Sequence, residues 1–155
     1  MEYNLAQLNI GRVLAPLDSP VMADFVGNLD TINALADTSP GFVWRLKDDA
    51  GDATSIQMYD DKRIIVNMSV WETWQHLHDF AYKTMHTEFL KRRREWFEKL
   101  GDLYYVLWHV PVGHLPDVGE AKDRLEHLRA HGETPYAFSF SRRFDPEEAA
   151  AYRHQ

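Results

Sequence analysis

The chain has 155 residues, of which 45% are hydrophobic and 13% aromatic, and its formal net charge at pH 7 is −7. This length and hydrophobic content predict one folded domain with a sizeable core and argue against an intrinsically disordered chain. The acidic balance argues against general binding of nucleic acids or anionic membranes, and the absence of cysteine excludes disulfides, thiolate nucleophiles and zinc–thiolate sites.

The hydrophobic residues recur with a period of two in some segments and with helical spacing in others. In chain order, these periods predict a strand at 3–13, a helix at 21–36, strands at 41–46, 54–60 and 63–72, a helix at 73–99, a strand at 103–113, a helix at 117–132 and a strand at 135–144. Strands and helices mix without a regular βαβ alternation. An antiparallel α+β fold is therefore favoured over a doubly wound parallel sheet.

No long linker, internal repeat or low-complexity segment divides the chain. We therefore expect a single domain over residues 1–145 and a polar C-terminal tail, 146–155, that frays or forms a loose helical turn. The sequence does not open with a basic run followed by an apolar segment, and no apolar run approaches the roughly 20 residues that span a bilayer. The expected location is the cytoplasm, without membrane or nucleic-acid partners.

Each central strand has one apolar face and one mixed face, because successive side chains of a strand point to opposite sides. We call the mixed side of the sheet the half-polar face, and its polar and aromatic members are Gln7, Asn9, Arg45, Asn67, Ser69, Trp71 and His109. Such a face can simply meet solvent, as in many antiparallel sheets. The presence of Trp71, Ile65 and Leu107 on it instead favours partial enclosure, either as a small-ligand pocket or as a wet dimer interface.

The sequence contains none of the common catalytic motifs: no nucleophile elbow, no dinucleotide-binding glycine motif and no phosphate-binding loop. His127 and His131 lie one turn apart on a predicted helix, which suits a two-histidine metal clamp, but no third ligand is evident. His76 and His78 would point to opposite sides of a helix. We therefore predict no metal site.

Two neighbouring arginines, Arg92 and Arg93, fall on apolar stripes of the predicted helix at 73–99, and His86 lies on the same stripe as Arg93. An arginine on an apolar stripe needs a carboxylate partner or a bound anion. Two alternatives remain open. One is a structural ion pair with an acidic residue of this or another helix; the other is a bound substrate carboxylate or phosphate, with His86 as the acid/base.

Several unusual sequence blocks occur in an order that resembles one protein family. They read LAQLNIGR, SPGFVWRL, NMSVWETWQHLHDFAYKTMHTEFLKRRREWF, VLWHVPVGHLP and AKDRLEHLRAHGETPYAFSF. Over about residues 4–142 they resemble the domain-of-unknown-function family 3291, which is similar to the dimeric α/β-barrel superfamily. This resemblance implies a ferredoxin-like antiparallel sheet with helices on one face, in a homodimer whose two sheets enclose a barrel. The half-polar face would be the inside of that barrel.

The superfamily includes antibiotic-biosynthesis monooxygenases, haem-degrading monooxygenases and chlorite-dismutase-like proteins. Trp71, Glu72 and the later His86 resemble the Trp–Glu strand end and the barrel-facing histidine of the monooxygenases, although the spacing to the histidine is longer than usual. Asn9 resembles the asparagine that haem-degrading members use beside their substrate. These likenesses imply a pocket at which His86 acts as the catalytic residue.

We therefore expect a small-molecule-binding homodimer, with monooxygenase-like activity on a small aromatic or polyketide-like metabolite as one option. The expected catalytic residue is His86, and the expected substrate-binding residues are Asn9, Asn67, Trp71, Arg93 and His109. Two alternatives stay open. One is a non-catalytic metabolite-binding dimer, and the other is a haem-binding protein with His86 as the axial ligand, so that haem is one option for a cofactor.

Overall fold

The computed structural model describes residues 2–47, 56–85 and 92–152. Its strands are β1 (Tyr3–Arg12), β2 (Phe42–Arg45), β3 (Ile64–Trp71) and β4 (Tyr105–Pro111). They form a four-stranded sheet in the order β2-β3-β1-β4, and each neighbouring pair is antiparallel. The predicted α+β class with an antiparallel sheet is confirmed.

Capping residues mark the ends of several helices. The helices are a 3₁₀ helix at Pro20–Met22, α1 (Ala23–Asp37), α2 (Trp74–Met85), α3 (Arg93–Trp96), α4 (Val118–His131) and α5 (Pro146–Ala151). Asp117 caps α4, because its carboxylate accepts a hydrogen bond from the backbone N–H of Glu120 at 2.8 Å. Gly132 ends the same helix with a φ of 75°, a conformation that glycine adopts without steric cost.

The central strand β1 decides which residues share a face of the sheet. Gln7 pairs with Ser69 of β3, and Asn9 pairs with Asn67 of the same strand. Residues that stand opposite each other on antiparallel strands point to the same side. The polar side chains of β1 and β3 therefore lie together, as the alternation in the sequence predicts.

The apolar face of the sheet is covered by α4. Its buried members are Ala6, Leu8, Ile10, Ile64, Val66, Met68, Val70, Val106, Trp108 and Val110, and α4 contributes Ala121, Leu125 and Leu128. Met58 and Tyr59 extend this cover beside the helix, where the Tyr59 hydroxyl donates to Glu126 at 2.7 Å. The indole N–H of the fully buried Trp108 donates to Glu120 at 2.8 Å. The layer thus combines apolar burial with two polar links to α4.

The half-polar face is covered as well, in this case by α1 and α2. Ala36 of α1 and Leu77 of α2 join a buried cluster with Trp71 and Leu107. The ring of Phe80 lies against that of Trp71, with 4.9 Å between the centroids. The expectation that helices lie on only one face of the sheet is therefore wrong, because α4 covers the other face.

Helices on both faces change how the sheet can meet a second chain. A barrel enclosed by two copies needs one sheet face that is open toward the partner. Here α1 and α2 lie over the half-polar face, and α4 lies over the apolar face. Closure of the half-polar face by a second copy therefore stays a prediction, and the part of that face around Trp71 and Leu107 is already covered by helices of the same chain.

A third hydrophobic cluster closes the end of the sheet where β1 ends. It consists of the buried Val13, Met22, Phe25, Trp96 and Phe97. The ring of Phe25 from α1 meets that of Phe97 edge to face, with 5.1 Å between the centroids. This cluster ties α1 and the short α3 to the sheet.

Residues 135–144 do not form the predicted strand. This segment bridges to β4 at Phe138, which exchanges two hydrogen bonds with Leu107 at 2.7 and 2.9 Å. The next hydrogen-bonded pair of an antiparallel ladder would join Phe140 to Tyr105, but the backbone N–H of Phe140 donates to the side-chain hydroxyl of Tyr105 at 3.2 Å. A side chain thus takes the donor that a strand would have used, and the segment turns away from the sheet after one bridge.

Strand β2 contains a bulge that the alternation of its sequence does not indicate. Phe42 pairs with Trp71, whereas Trp44 pairs with Val70, so the register shifts at the intervening Val43. Alternation predicts Phe42 beside Trp44. The bulge places Phe42 on the half-polar face instead, where its ring meets that of Trp71 with 5.4 Å between the centroids.

Three other predicted segments differ from the observed elements. The described part of 54–60, residues 56–60, forms no strand. The predicted helix at 73–99 is present as α2 and the much shorter α3, and residues 86–91 between them lie outside the described ranges. The predicted tail at 146–155 begins with α5, which a reciprocal capping box of Asp145 and Glu148 stabilises.

We expect the replacement Gly11→Ala to destabilise the protein by about 1–3 kcal/mol, the usual cost of overpacking a core. A Cβ atom at this position would lie 2.6 Å from Cδ1 of Phe97, whose ring is held by the third cluster. The measurement is the free energy of unfolding in urea.

The matched control is Gly27→Ala in α1, where an added Cβ has no neighbour within 4 Å. Because alanine favours helix more than glycine does, this variant should gain about 0.5–1 kcal/mol. Equal stability of the two variants would show that Phe97 does not occupy the space beside β1.

Candidate functional site

The centre of the half-polar face carries a chain of side-chain hydrogen bonds, which we call the amide row. The Nε2 of Gln7 donates to Oδ1 of Asn67 and to Oγ of Ser69, at 2.8 Å in both cases. The Nδ2 of Asn9 donates to Oε1 of Gln7 at 3.0 Å and to Oδ1 of Asn67 at 3.2 Å. Trp71 completes the row, since its indole N–H donates to Ser69 at 2.8 Å. Three predicted binding residues, Asn9, Asn67 and Trp71, therefore lie together.

Within the amide row, one donor group and one acceptor group have no hydrogen-bond partner among the described residues. The Nδ2 of Asn67 and the Oδ1 of Asn9 form no hydrogen bond with any described residue. Both side chains are half-buried, so a small molecule can reach them. The two residues are direct cross-strand partners, which brings their side chains within about 5 Å of each other. This pair suits a ligand that carries a carbonyl beside an N–H or O–H group.

Asn33 of α1 is a buried polar residue in a helix that packs on the sheet. It lies on the same helical stripe as Phe25, Leu29 and Ala36, which pack toward the sheet. Asn33 is 7% exposed, and its amide forms no hydrogen bond with the described residues. Among the described residues, those with fully buried polar atoms that lack a partner do not include Asn33, so its amide retains some contact with solvent. We regard Asn33 as a further candidate for ligand contact. Sequence reasoning missed it, although an asparagine in an otherwise apolar stripe was the available signal.

Tyr105 forms an aromatic wall beside the amide row. It pairs with Asn9 across the β1–β4 ladder, so the two side chains share the half-polar face. Its ring tilts against those of Tyr104 and Phe140, each with 5.7 Å between the centroids. A flat apolar ligand body could therefore stack beside polar groups that fix its orientation.

His109 lies at the other end of the half-polar face from Asn9. It pairs with Leu5, which is about 13 Å along β1 from Asn9 at the usual strand rise. Its Nε2 donates to the backbone carbonyl of Phe144 at 2.7 Å, and it borders a separate cavity of about 150 Å³ together with Trp74. The predicted binding residue His109 is therefore not placed beside Asn9 and Asn67.

Burial affects the protonation of His109. The loss of water around its ring lowers its pKa from the ordinary value of 6.5, and the hydrogen bond to Phe144 offsets only part of this effect. The ring is therefore neutral over a wider pH range than an exposed histidine. In the neutral ring, the tautomer that satisfies the carbonyl of Phe144 carries its proton on Nε2.

The two arginines have different surroundings. Arg92 forms ion pairs with Asp24 at 2.8 Å and with Glu95 at 2.9 Å. Of the two alternatives for the arginines, a structural ion pair therefore applies to Arg92. Arg93 instead lies over the rings of Phe97 and Tyr104, with its Cζ 5.0 and 4.6 Å from the centroids. It borders a pocket of about 470 Å³ at the end of the sheet. Arg93 is thus the arginine that faces a pocket.

The described residues contain no general base beside the amide row. Amides, a serine hydroxyl and an indole neither gain nor lose a charge near neutral pH, so they cannot act as the general base. The predicted catalytic residue, His86, lies outside the described residues. Over 2–47, 56–85 and 92–152, no group of three or more His, Asp and Glu side chains is placed to hold a metal ion.

Comparison with known protein families matches residues 4–154 to the family described as Domain of unknown function (DUF3291). No curated protein sequence matches the chain. None of the helices in the described ranges is both long and apolar enough to cross a membrane.

The lowered pKa of His109 predicts a pH-dependent contribution to stability. The unfolded chain, with an ordinary histidine pKa near 6.5, binds a proton more readily than the folded chain. The contribution is therefore fully present above that pKa and is lost as the pH falls below it. Thermal unfolding at pH 8 and at pH 5.5 should show a larger loss of stability in the unmodified protein than in His109→Gln, which keeps a donor for Phe144.

The control is His131→Gln, which replaces an exposed histidine and should retain the pH dependence of the unmodified protein. An identical loss in all three proteins would mean that the ring of His109 is protonated as easily in the folded state as in the unfolded chain.

Proposed function

We propose that the chain, which belongs to the DUF3291 family, binds a small neutral metabolite at the amide row. The ligand would have a flat aromatic or polyketide-like body and would carry a carbonyl beside a hydroxyl or N–H group. The observation that supports this proposal is the free donor–acceptor pair formed by the Asn67 Nδ2 and the Asn9 Oδ1.

The surroundings of this pair favour a neutral ligand over a charged one. The residues of the amide row are uncharged, and Trp71 and Leu107 beside them are fully buried. An isolated ion would lose its hydration there without gaining an opposite charge. The paired hydrogen bonds would determine which way the ligand lies, and Tyr105 would support its ring.

Ligand binding is therefore the primary role that we infer, and a non-catalytic binding protein is its simplest form.

Monooxygenase-like chemistry is the second candidate, and one observation favours it. Leu77 and Phe80 of α2 pack on the half-polar face, and α2 extends to Met85, so His86 is the next residue along the chain. For this chemistry, the ring of His86 would have to take the proton of a bound acidic phenol and leave an anion that reacts with oxygen. Haem binding with His86 as the axial ligand is the remaining alternative.

A ferredoxin-like topology and a homodimer are part of the proposal. The strand order β2-β3-β1-β4, together with the succession β1-α1-β2-β3-α2-β4, is the arrangement expected of ferredoxin-like subunits. Because both sheet faces are covered within one chain, two copies would meet through sheet edges or helices. The ligand site would then belong to a single protomer.

The donor–acceptor pair can be tested with 2-quinolone, a neutral lactam with a carbonyl beside its N–H, and with N-methyl-2-quinolone, which lacks the N–H. Calorimetric titration should show that the unmodified protein prefers 2-quinolone by about tenfold, the worth of one hydrogen bond. In Asn9→Leu the acceptor is lost, so this preference should disappear. In Asn67→Leu the donor is lost, and both compounds should bind about tenfold more weakly.

The exposed Gln75→Ala of α2 is the matched control, and it should bind both compounds as the unmodified protein does. Equal binding of the two quinolones by the unmodified protein would overturn the proposed site without any need for a variant.

Catalysis and haem binding both depend on His86, and they can be separated from each other. For the monooxygenase, oxygen uptake with phenolic substrates should be at least 100-fold slower in His86→Ala and unchanged in His154→Ala. For the haem protein, addition of haemin should produce a Soret band that His86→Ala loses. If quinolone binds but neither signal is seen, the protein is a binder only.

A further inference from the structure

We propose a second ligand site in the pocket beside Arg93, and we infer that it takes an organic carboxylate with an apolar body. The pocket has a volume of about 470 Å³ and is lined by residues 93–94 and 97–104, between α3 and the start of β4. It is separate from the amide row and does not depend on the proposed function of that row.

The guanidinium of Arg93 is held in place by aromatic rings. Its Cζ lies 5.0 Å from the ring centroid of Phe97 and 4.6 Å from that of Tyr104. Phe97 is itself fixed by its contact with Phe25 in the third hydrophobic cluster. Cation–π contacts leave the N–H groups of an arginine free to donate. In the described chain, Arg93 forms no ion pair or hydrogen bond through its side chain, so these donors are available to a ligand.

The carboxylates in the pocket lining are engaged by arginines other than Arg93. Glu98 lies 3.6 Å from Arg12 and 3.7 Å from Arg63. Asp102 lies 3.6 Å from Arg129 and also accepts a hydrogen bond from a backbone N–H. The local charge that remains is positive, because Arg94 and Lys99 also line the pocket. An anion is therefore the ligand that the pocket favours.

Arg93 also carries an energetic cost that an anion would offset. Burial lowers its pKa, since the charged guanidinium has lost part of its water. A carboxylate can accept two parallel N–H bonds from one guanidinium, which restores the lost hydrogen bonds and the opposite charge together. A phosphate dianion would require further fixed donors. The described lining offers one ring-held guanidinium and two exposed cationic side chains, Arg94 and Lys99.

The apolar part of the lining suits the body of such a ligand. Leu103 and Tyr104 are large hydrophobic residues that are 45% and 41% exposed, and both line the pocket together with Arg93. Leu100 packs between this surface and the apolar core of the sheet. A ring bound against Leu103 and Tyr104 would remove their exposed surface from water while its carboxylate reaches Arg93.

The test uses 2-naphthoate, its neutral analogue 2-naphthamide and 2-naphthyl phosphate in the full-length protein at 150 mM salt. We expect 2-naphthoate to bind at least tenfold more tightly than 2-naphthamide and more tightly than the phosphate. Resonances of Phe97 and Tyr104 should shift with 2-naphthoate. Equal binding of the acid and the amide, or shifts confined to other residues, would overturn the proposal; tighter binding of the phosphate would overturn the choice of a carboxylate.

Variants then assign the effect to Arg93. Arg93→Gln should raise the Kd for 2-naphthoate at least tenfold, and Arg93→Lys should restore it only in part, because an ammonium cannot form the paired hydrogen bonds. The same change of charge at an exposed position, Lys62→Gln, should leave the Kd unchanged. Asn67→Leu should also leave it unchanged, which separates this site from the amide row. An unaltered Kd in a folded Arg93→Gln protein would refute the assignment.

Discussion

The antiparallel pairing of β1 with both of its neighbours is the constraint on which the rest of the structure depends. Because side chains alternate along a strand, this pairing collects Gln7 and Asn9 with Asn67 and Ser69 on one side and leaves the other side wholly apolar. A shift of the β1 register by one residue would turn the apolar side chains to the opposite face and bury amides without partners. The two helical layers and the amide row are therefore consequences of a single register.

The parts of the fold that depend on local periodicity could be predicted from the sequence. The alternation in 63–72 indicates both the strand β3 and the common face of Asn67 and Trp71. The helical spacing of apolar residues in 117–132 indicates α4. Periodicity could not predict which faces of the sheet the helices cover. An apolar face indicates burial but does not say which element buries it.

The missed features depend on contacts between residues far apart in the sequence. The bulge at Val43 accompanies the contact of Phe42 with Trp71, and alternation within β2 contains no sign of it. The absence of the strand predicted at 135–144 depends on Tyr105, whose hydroxyl accepts from the backbone N–H of Phe140. Among the predicted binding residues, His109 lies far from Asn9 along the sheet, because sharing a face does not make residues neighbours. Arg93 lies on α3 and borders a separate pocket. Residue propensities and hydrophobic patterns contain no information on such contacts between residues far apart in the sequence.

Each of the three hydrophobic clusters contains one tryptophan that is fully shielded from water: Trp108 under α4, Trp71 under α2, and Trp96 at the end of the sheet. The chain therefore carries a built-in optical label in every layer. Indole fluorescence responds to hydration. Variants that retain only one of these three tryptophans would therefore show when the layer around that tryptophan opens. Coincident signals would mean that the layers melt as one cooperative unit, and staggered signals would reveal which layer yields first.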